Sequence, residues 1–243
     1  MNLLICGLGS IGRRHYNNLK NIEGVNLFAL RTNKSTIKKD LDFEKVFYSF
    51  KDVIEYGDID GIIISNPTSE HVKTAMSLMK LNCPYFIEKP LSNSFDGVSA
   101  FHFILNINSI PSMLGYHVLF HPCFLKIQDL LENNTIGDVV SCKAYNGSYL
   151  PNWHPWEDYK QSYASNTNMG GGVTLTMIHE LNYLTQLFGK VKSSCSMKTE
   201  KDTLGIEVDQ GMEILLKHKS GIVSNIHLNF FQKNTERWLK IVG

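Results

Sequence analysis

A short apolar run, Leu3-Leu4-Ile5-Cys6, breaks directly into Gly7-Leu8-Gly9-Ser10-Ile11-Gly12, and no other stretch restricts the folds open to this chain so sharply. The run has the length and composition of a strand buried on both faces. The glycines fit G-x-G-x-x-G, a weak pattern alone, since any glycine turn between strand and helix can produce it. Its setting gives it weight: a strand before, a helix through Leu19 after, and a second apolar run from Val25 to Leu30. In that setting Gly7 permits the tight turn, Gly9 lets backbone approach a pyrophosphate, and Gly12 lets helix and strand pack closely. Free amides of the helix start, reached through Leu8, Ser10 and Ile11, then meet the phosphates.

The rhythm continues in the first half. Gly61 to Ser65 and Pro84 to Ile87 are further strands, and Val72, Ala75, Met76 and Met79 recur at helical spacing between them. Thr68 or Ser69 is placed to cap that helix, and Asn82 with Pro84 to stop it. Strands alternating with helices predict an α/β domain with a doubly wound parallel sheet over residues 1–118.

After Leu119 the pattern changes. A helix is expected from Cys123 to Glu132, a turn from Asn133 to Gly137, and a longer helix from Val173 to Phe188 behind Gly170-Gly171-Gly172. Strands are expected at Val139 to Tyr149, Met212 to Lys217, Ile222 to Phe230 and Trp238 to Val242, the middle pair joined as a hairpin through His218 to Gly221. This predicts a second, α+β domain over residues 119–243 with a mostly antiparallel open sheet.

Composition narrows the partners. The 43% hydrophobic content suffices for a packed core, and 24 basic residues against 23 acidic ones argue against a nucleic-acid partner. The basic cluster from Lys34 to Lys39 is short and reads as a solvated face. Five scattered cysteines without CxxC spacing predict neither a metal site nor a disulfide framework. No leader is evident at Met1 and no apolar run reaches the roughly 20 residues of a membrane span. The expected home is the cytoplasm.

The end of the second strand normally carries a carboxylate for the ribose hydroxyls of NAD. Here it holds Arg31, followed by Thr32. A guanidinium pairs with a 2′-phosphate, so the charge argument favours NADP over NAD, unless Arg31 merely stacks on adenine.

Ile87-Glu88-Lys89-Pro90 closes another strand on the side where open α/β sheets bind ligands. By itself this reads equally as a polar turn. Joined to Gly7–Gly12, to Ser65-Asn66-Pro67-Thr68-Ser69-Glu70-His71, to Gly115-Tyr116-His117 with Phe120 and Pro122, and to Gly170–Gly172 with His179, it resembles the Gfo/Idh/MocA family of sugar and inositol dehydrogenases. The resemblance spans nearly the whole chain. It implies an NAD(P)-binding Rossmann domain followed by a substrate and oligomerisation domain, whose open sheet makes homo-oligomer contacts. It also implies that Lys89 lies close to the nicotinamide and orients a substrate hydroxyl, that Lys89-Pro90 is a candidate cis peptide, and that Ser65, Asn66, Pro67, His71, Glu88 and Lys89 line the cofactor channel. His179 becomes the acid–base group, with Tyr116 and His117 near the substrate.

Two positions depart from that pattern. Relatives usually carry an aspartate one turn before the histidine, where this chain has Thr176, and another where it has Asn182. A threonine hydrogen-bonds but holds no negative charge beside an imidazolium. The family also usually continues well past Gly243, which reads as a shortened or trimmed chain with an uncovered sheet edge.

Between Tyr149 and Tyr163 the sequence is dense in aromatics. Trp153, His154, Trp156 and Tyr163 suit a carbohydrate pocket, while the two tryptophans suit equally a loop anchored on the sheet. The combination resembles a subgroup associated with bacterial surface-glycan biosynthesis. The expected activity is hydride transfer between a nicotinamide and a sugar or sugar-nucleotide. The rivals are a non-catalytic NAD(P)-binding relative and a reductase of a non-sugar substrate such as biliverdin or a dihydrodiol.

Overall fold

The computed structural model describes residues 1–31 and 41–243. Thr32 and the Lys34 to Lys39 cluster therefore lie outside the described residues. Two compact units divide the chain, Met1–Gly115 and Tyr116–Gly243.

The first unit contains strands β1 (Asn2–Cys6), β2 (Asn26–Leu30), β3 (Lys45–Phe47), β4 (Gly61–Ile64), β5 (Tyr85–Ile87) and β6 (Ser112–Leu114). Its helices are α1 (Ser10–Leu19), α2 (Phe50–Tyr56), α3 (His71–Ser77) and α4 (Val98–Ile107). The strands form one parallel sheet in the order β3-β2-β1-β4-β5-β6, the doubly wound arrangement in which the order reverses beside β1. The continuous apolar runs follow from burial on both faces. Leu4 and Cys6 pack with Phe28, Val53, Ile62 and Leu78, while Ile5, between them, packs with Tyr16, Leu27 and Ala29 on the opposite side. Burial pushes the Cys6 thiol well above its ordinary range, so it serves as apolar filler.

The helix expected after Pro67 is present in a different form. Thr68 and Ser69 do not cap it; they lie in a 3₁₀ turn, Thr68–Glu70, that runs straight into α3. Asn82, in the left-handed region at φ 50°, ends the segment as anticipated. Strands β3 and β6 are three residues each, too short for a periodic signal. Helix α4 also escaped notice, because Phe103 and Ile107 interrupt its polar face and stand 63% and 62% exposed.

The second unit contains α5 (Pro122–Glu132), β7 (Ser141–Tyr149), α6 (Val173–Thr176), α7 (His179–Phe188), β8 (Val191–Lys198), β9 (Gly211–His218), β10 (Val223–Asn229) and β11 (Phe231–Val242). Its sheet runs β11-β7-β10-β9-β8, antiparallel except for the β10–β7 pair. One face, with Ala144, Ile214, Leu216, Ile226 and Leu228, packs with Val173, Leu184 and Phe188. The other carries a cross-strand row of Trp238, Tyr145, His227, Glu213 and Met197. In that row the rings of Trp238 and His227 stack on either side of Tyr145.

Three expectations need correction here. The helix from Val173 to Phe188 is broken at Met177 (φ −101°, ψ 36°), leaving α6 and α7 and placing His179 first in a new helix. Strand β8 was missed because an edge strand with almost every side chain exposed shows no apolar alternation. Strand β11 begins at Phe231, with a register shift between Phe231 and Glu236 that hides its early half.

Candidate functional site

Parallel register decides which residues emerge together. Cys6 pairs with Leu30 and Ile64, Ile64 with Ile87, and Ile87 with Leu114. The next residue along each strand therefore falls into one row beyond the carboxyl edge: Arg31, Gly7, Ser65, Glu88 and Gly115. Hydrogen bonds from Gly7 N to Leu30 O, Ser65 N to Cys6 O, Glu88 N to Ile64 O and Gly115 N to Ile87 O extend the sheet into this row. Motifs scattered over more than a hundred positions thus meet at the sheet's switch point.

The glycines of the first turn are held by packing in two cases and not in the third. Gly7 has φ +95°, and a Cβ there would stand 2.5 Å from Asn66 N. Around Gly9 no described residue comes within 4 Å of such an atom, so packing among the described residues does not demand a glycine. A ligand approaching the backbone would. Gly9 is also the N-cap of α1, which has no side-chain cap and no acidic residue in its first turn. The amides of Ser10, Ile11 and Gly12 are left for an anion from outside the helix. Ser65 Oγ donates to Gly7 O at 2.9 Å and ties the β4 loop to this turn. Asn66 Nδ2 donates to Thr74 Oγ1 at 2.8 Å, while its buried Oδ1 has no protein partner among the described residues. A cradle with open amides, an open Gly9 and an unmet buried acceptor fits a dinucleotide.

The Glu88-Lys89-Pro90 turn is gripped from both sides. His15 Nε2 lies 2.8 Å from Glu88 Oε1, and the His15 ring meets Phe86 edge-on with centroids 5.3 Å apart. His71 Nδ1 lies 2.8 Å from Pro90 O, and its Nε2 lies 2.9 Å from Asn66 O. The Lys89-Pro90 peptide is cis, as the resemblance implied. Burial lowers the His71 pKa more than the two carbonyls and Glu88 raise it. Sequence reasoning missed His15, since only the sheet register brings the second turn of α1 against Glu88. Gly115 has a packing role that its sequence does not reveal: a Cβ there would stand 3.0 Å from Glu88 Oε2.

In the second unit Tyr116, His117, Thr176 and His179 form a separate group. The rings of His117 and His179 are 4.3 Å apart and edge-on, and Tyr116 meets His179 at 5.9 Å. Thr176, at the end of α6, and His179, at the start of α7, are both buried. Next to it, Glu180 is fully buried and accepts from Arg237 Nε at 2.8 Å.

The aromatic loop divides between the two readings open in the sequence. Trp153 donates from Nε1 to Ser148 Oγ at 2.9 Å and meets Phe230 edge-on, so it anchors the loop. Trp156 is 73% exposed and touches His154. Leu150, Trp153, His154, Tyr159 and Tyr163 line a small crevice, onto which His154 brings a buried Nδ1 with no hydrogen-bond partner among the described residues.

Known proteins agree with this architecture. Residues 1–103 match the profile described as oxidoreductase family, NAD-binding Rossmann fold, and residues 124–243 match the GFO/IDH/MocA C-terminal domain. An uncharacterized oxidoreductase, YrbE of Bacillus subtilis, is 30% identical over 55% of this chain and 40% of its own. The myo-inositol 2-dehydrogenase of Thermotoga maritima is 26% identical over 78% of this chain and 55% of its own. The chain spans about half the length of these curated relatives. Among solved structures, the WlbA dehydrogenase of Bordetella pertussis, in complex with NADH and UDP-GlcNAcA, superposes with a TM-score of 0.86. That alignment covers the whole of this chain and 75% of WlbA at 14% identity.

Proposed function

The chain belongs to the GFO/IDH/MocA family of NAD-binding oxidoreductases, and on that premise we propose that it moves a hydride between NAD(P) and a hydroxyl or carbonyl carbon of a sugar or sugar-nucleotide. The observation that carries this reading is the single row of Arg31, Gly7, Ser65, Glu88 and Gly115 beyond the carboxyl edge, beside open helix amides. We assign residues 1–118 to cofactor binding and 119–243 to substrate binding and self-association.

Residues Gly7 to Gly12 hold the pyrophosphate through backbone amides, and Ser65, Asn66, Pro67 and His71 shape the adjoining wall. Bound NAD(P) supplies the hydride-accepting and hydride-donating chemistry. Arg31 directly follows β2, where a guanidinium would pair with a 2′-phosphate, which favours NADP over NAD. Lys89 holds the substrate oxygen and steadies negative charge on it, while His179 takes or returns the hydroxyl proton. Tyr116, His117 and Thr176 position the sugar around His179. Trp156, Tyr163 and His154 offer aromatic and polar surface to a larger, nucleotide-linked substrate.

Polyol and nucleotide-sugar chemistry is favoured by the relatives: one is a myo-inositol 2-dehydrogenase, and WlbA was crystallised with UDP-GlcNAcA. We extend this reading to a role in surface polysaccharide or unusual-sugar biosynthesis, on the resemblance carried by the aromatic loop between Tyr149 and Tyr163. Self-association uses the open face of the second sheet, where Trp238, Leu215 and Met197 are 44%, 47% and 72% exposed. Thr176 favours one second reading, an NAD(P)-binding relative with little turnover. Fluorescence titration with NADPH and NADH, then a panel of inositols and UDP-sugars on the same sample, tests both. Binding and turnover, with turnover abolished in Lys89→Ala, supports the first reading; tight binding with no turnover on any panel member supports the second. Indifference to both nucleotides at millimolar concentration overturns each of them.

A further inference from the structure

We propose that His15 is a positioning residue for Lys89, acting through Glu88, so that occupancy of the pyrophosphate turn and the placement of Lys89 are coupled. This rests on the reading that the turn receives NAD(P).

The geometry leaves the Glu88 carboxylate little freedom. Its side chain is about nine-tenths buried, with His15 Nε2 on Oε1 at 2.8 Å. Oε2 faces Gly115, where the space is so tight that an added Cβ would come within 3.0 Å of it. The same oxygen accepts from Lys89 N at 3.3 Å, a long bond that reports proximity more than strength. An ionised carboxylate only accepts, so the imidazole places its proton on Nε2 in this pair. Phe86 packs on the imidazole in a T-shaped pair, with centroids 5.3 Å apart. On the far side of Lys89, His71 holds the Pro90 carbonyl. The backbone of Lys89 is therefore suspended between two histidine-held neighbours, one before it and one after.

His15 is not an arbitrary support. It lies on α1, the helix whose first turn carries the open amides, and α1 moves as a unit because its backbone is hydrogen-bonded along its length. A dinucleotide that draws on those amides pulls on the same rod that grips Glu88. Removing the donor from His15 cuts this link without touching either the glycines or Lys89.

The test reads Lys89 directly and needs no substrate. Methyl acetimidate amidinates Lys89, and peptide mass spectrometry follows the rate with and without NADH, whose binding is measured separately by fluorescence. In the wild type NADH is expected to slow the labelling of Lys89 about tenfold, the size of ordinary coupling between sites. In His15→Leu, which keeps the volume and loses the donor, NADH still binds within about threefold of the wild type but protection is lost. His15→Gln, whose amide donates from nearly the same place, restores it. Full protection in folded His15→Leu overturns the proposal. If His15→Leu does not fold, His15→Gln is compared with His15→Asn, whose shorter amide cannot reach Glu88, and equal protection in the two overturns it. Failure of wild-type protein to bind NADH at all overturns the cofactor reading as well, and shows at the fluorescence step before any labelling.

Discussion

An added Cβ on Gly12 would stand 2.1 Å from the carbonyl oxygen of Gly7, so α1 and the end of β1 approach as closely as two backbones can. Gly12→Ala gains about 1 kcal/mol of helix propensity but forces apart backbone that cannot yield, a cost of about 1–3 kcal/mol or more. The clash wins, and urea denaturation should show a net loss. Gly9→Ala is the contrast. Its Cβ meets no atom of the described residues within 4 Å, so apo stability should stay within about 1 kcal/mol. NADH affinity should nevertheless fall tenfold or more (roughly, by steric exclusion of the pyrophosphate). Equal stability losses in the two variants would contradict this division of labour.

Glu180 gives a second contrast. Burial raises its carboxyl above the ordinary range, with Arg237 and Asn146 partly offsetting the rise. A raised folded pKa means the favourable contribution is complete at acid pH and fades as pH climbs through the folded value. Arg237→Ala leaves a buried carboxylate without its cation and should cost about 3 kcal/mol, toward the low end because Arg237 is partly exposed. The loss should grow from pH 5 to pH 8. Adding Glu180→Gln should recover part of the stability and flatten that slope, as read from chemical denaturation at several pH values.

The opposite sign applies to His71. Burial lowers its pKa below the unfolded value, so its contribution is complete above about pH 6.5 and is lost as pH falls through the folded value. A neutral imidazole has one N–H to offer its two carbonyls, and only the charged ring, which burial opposes, satisfies both. The stability carried by His71, read as the difference in urea unfolding between wild type and His71→Gln, should therefore fall from pH 7.5 to pH 5, against the opposite trend of Glu180. His71→Gln should lower stability overall and remove about one proton from the pH slope. An unchanged slope would show that His71 does not titrate in this range.

The tryptophans should separate in the same way. Trp153→Ala removes a packed ring and its bond to Ser148, and about 3 kcal/mol of stability is expected to go with it. Trp156→Ala removes a ring already 73% exposed and should leave the unfolding midpoint within about 0.5 kcal/mol. If Trp156 meets substrate, KM for a nucleotide sugar rises in that variant while kcat/KM for a small polyol holds.

The first sheet was legible because two-sided burial writes itself as unbroken apolar runs, as in Leu3 to Cys6 and Gly61 to Ile64, and glycines with backbone duties interrupt them. The row at its carboxyl edge was legible as motifs, though not as a row, since register is a property of pairs of strands. His15 could not be read for that reason: its partner Glu88 lies 73 positions away. In the second unit the break at Met177 follows no proline or glycine, and the helical spacing of apolar residues runs on past it. Strand β8 is Ser- and Lys-rich and exposed, and pairing with β9 rather than its own pattern makes it a strand.

The aromatic stretch leaves the second sheet at Tyr149 and returns to its core by Val173, stitched at Ser148 by Trp153 and at Leu204 by Tyr159 Oη. Trp156, between these two fastenings, is 73% exposed and touches His154, while Leu150 and Ala164 to either side pack into the core. The exchangeable part is therefore the tip between Trp153 and Tyr159. Chimaeras carrying the corresponding tip of another family member should fold provided the Trp153 and Tyr159 fastenings are retained, and they test whether this loop meets substrate while the first unit stays untouched.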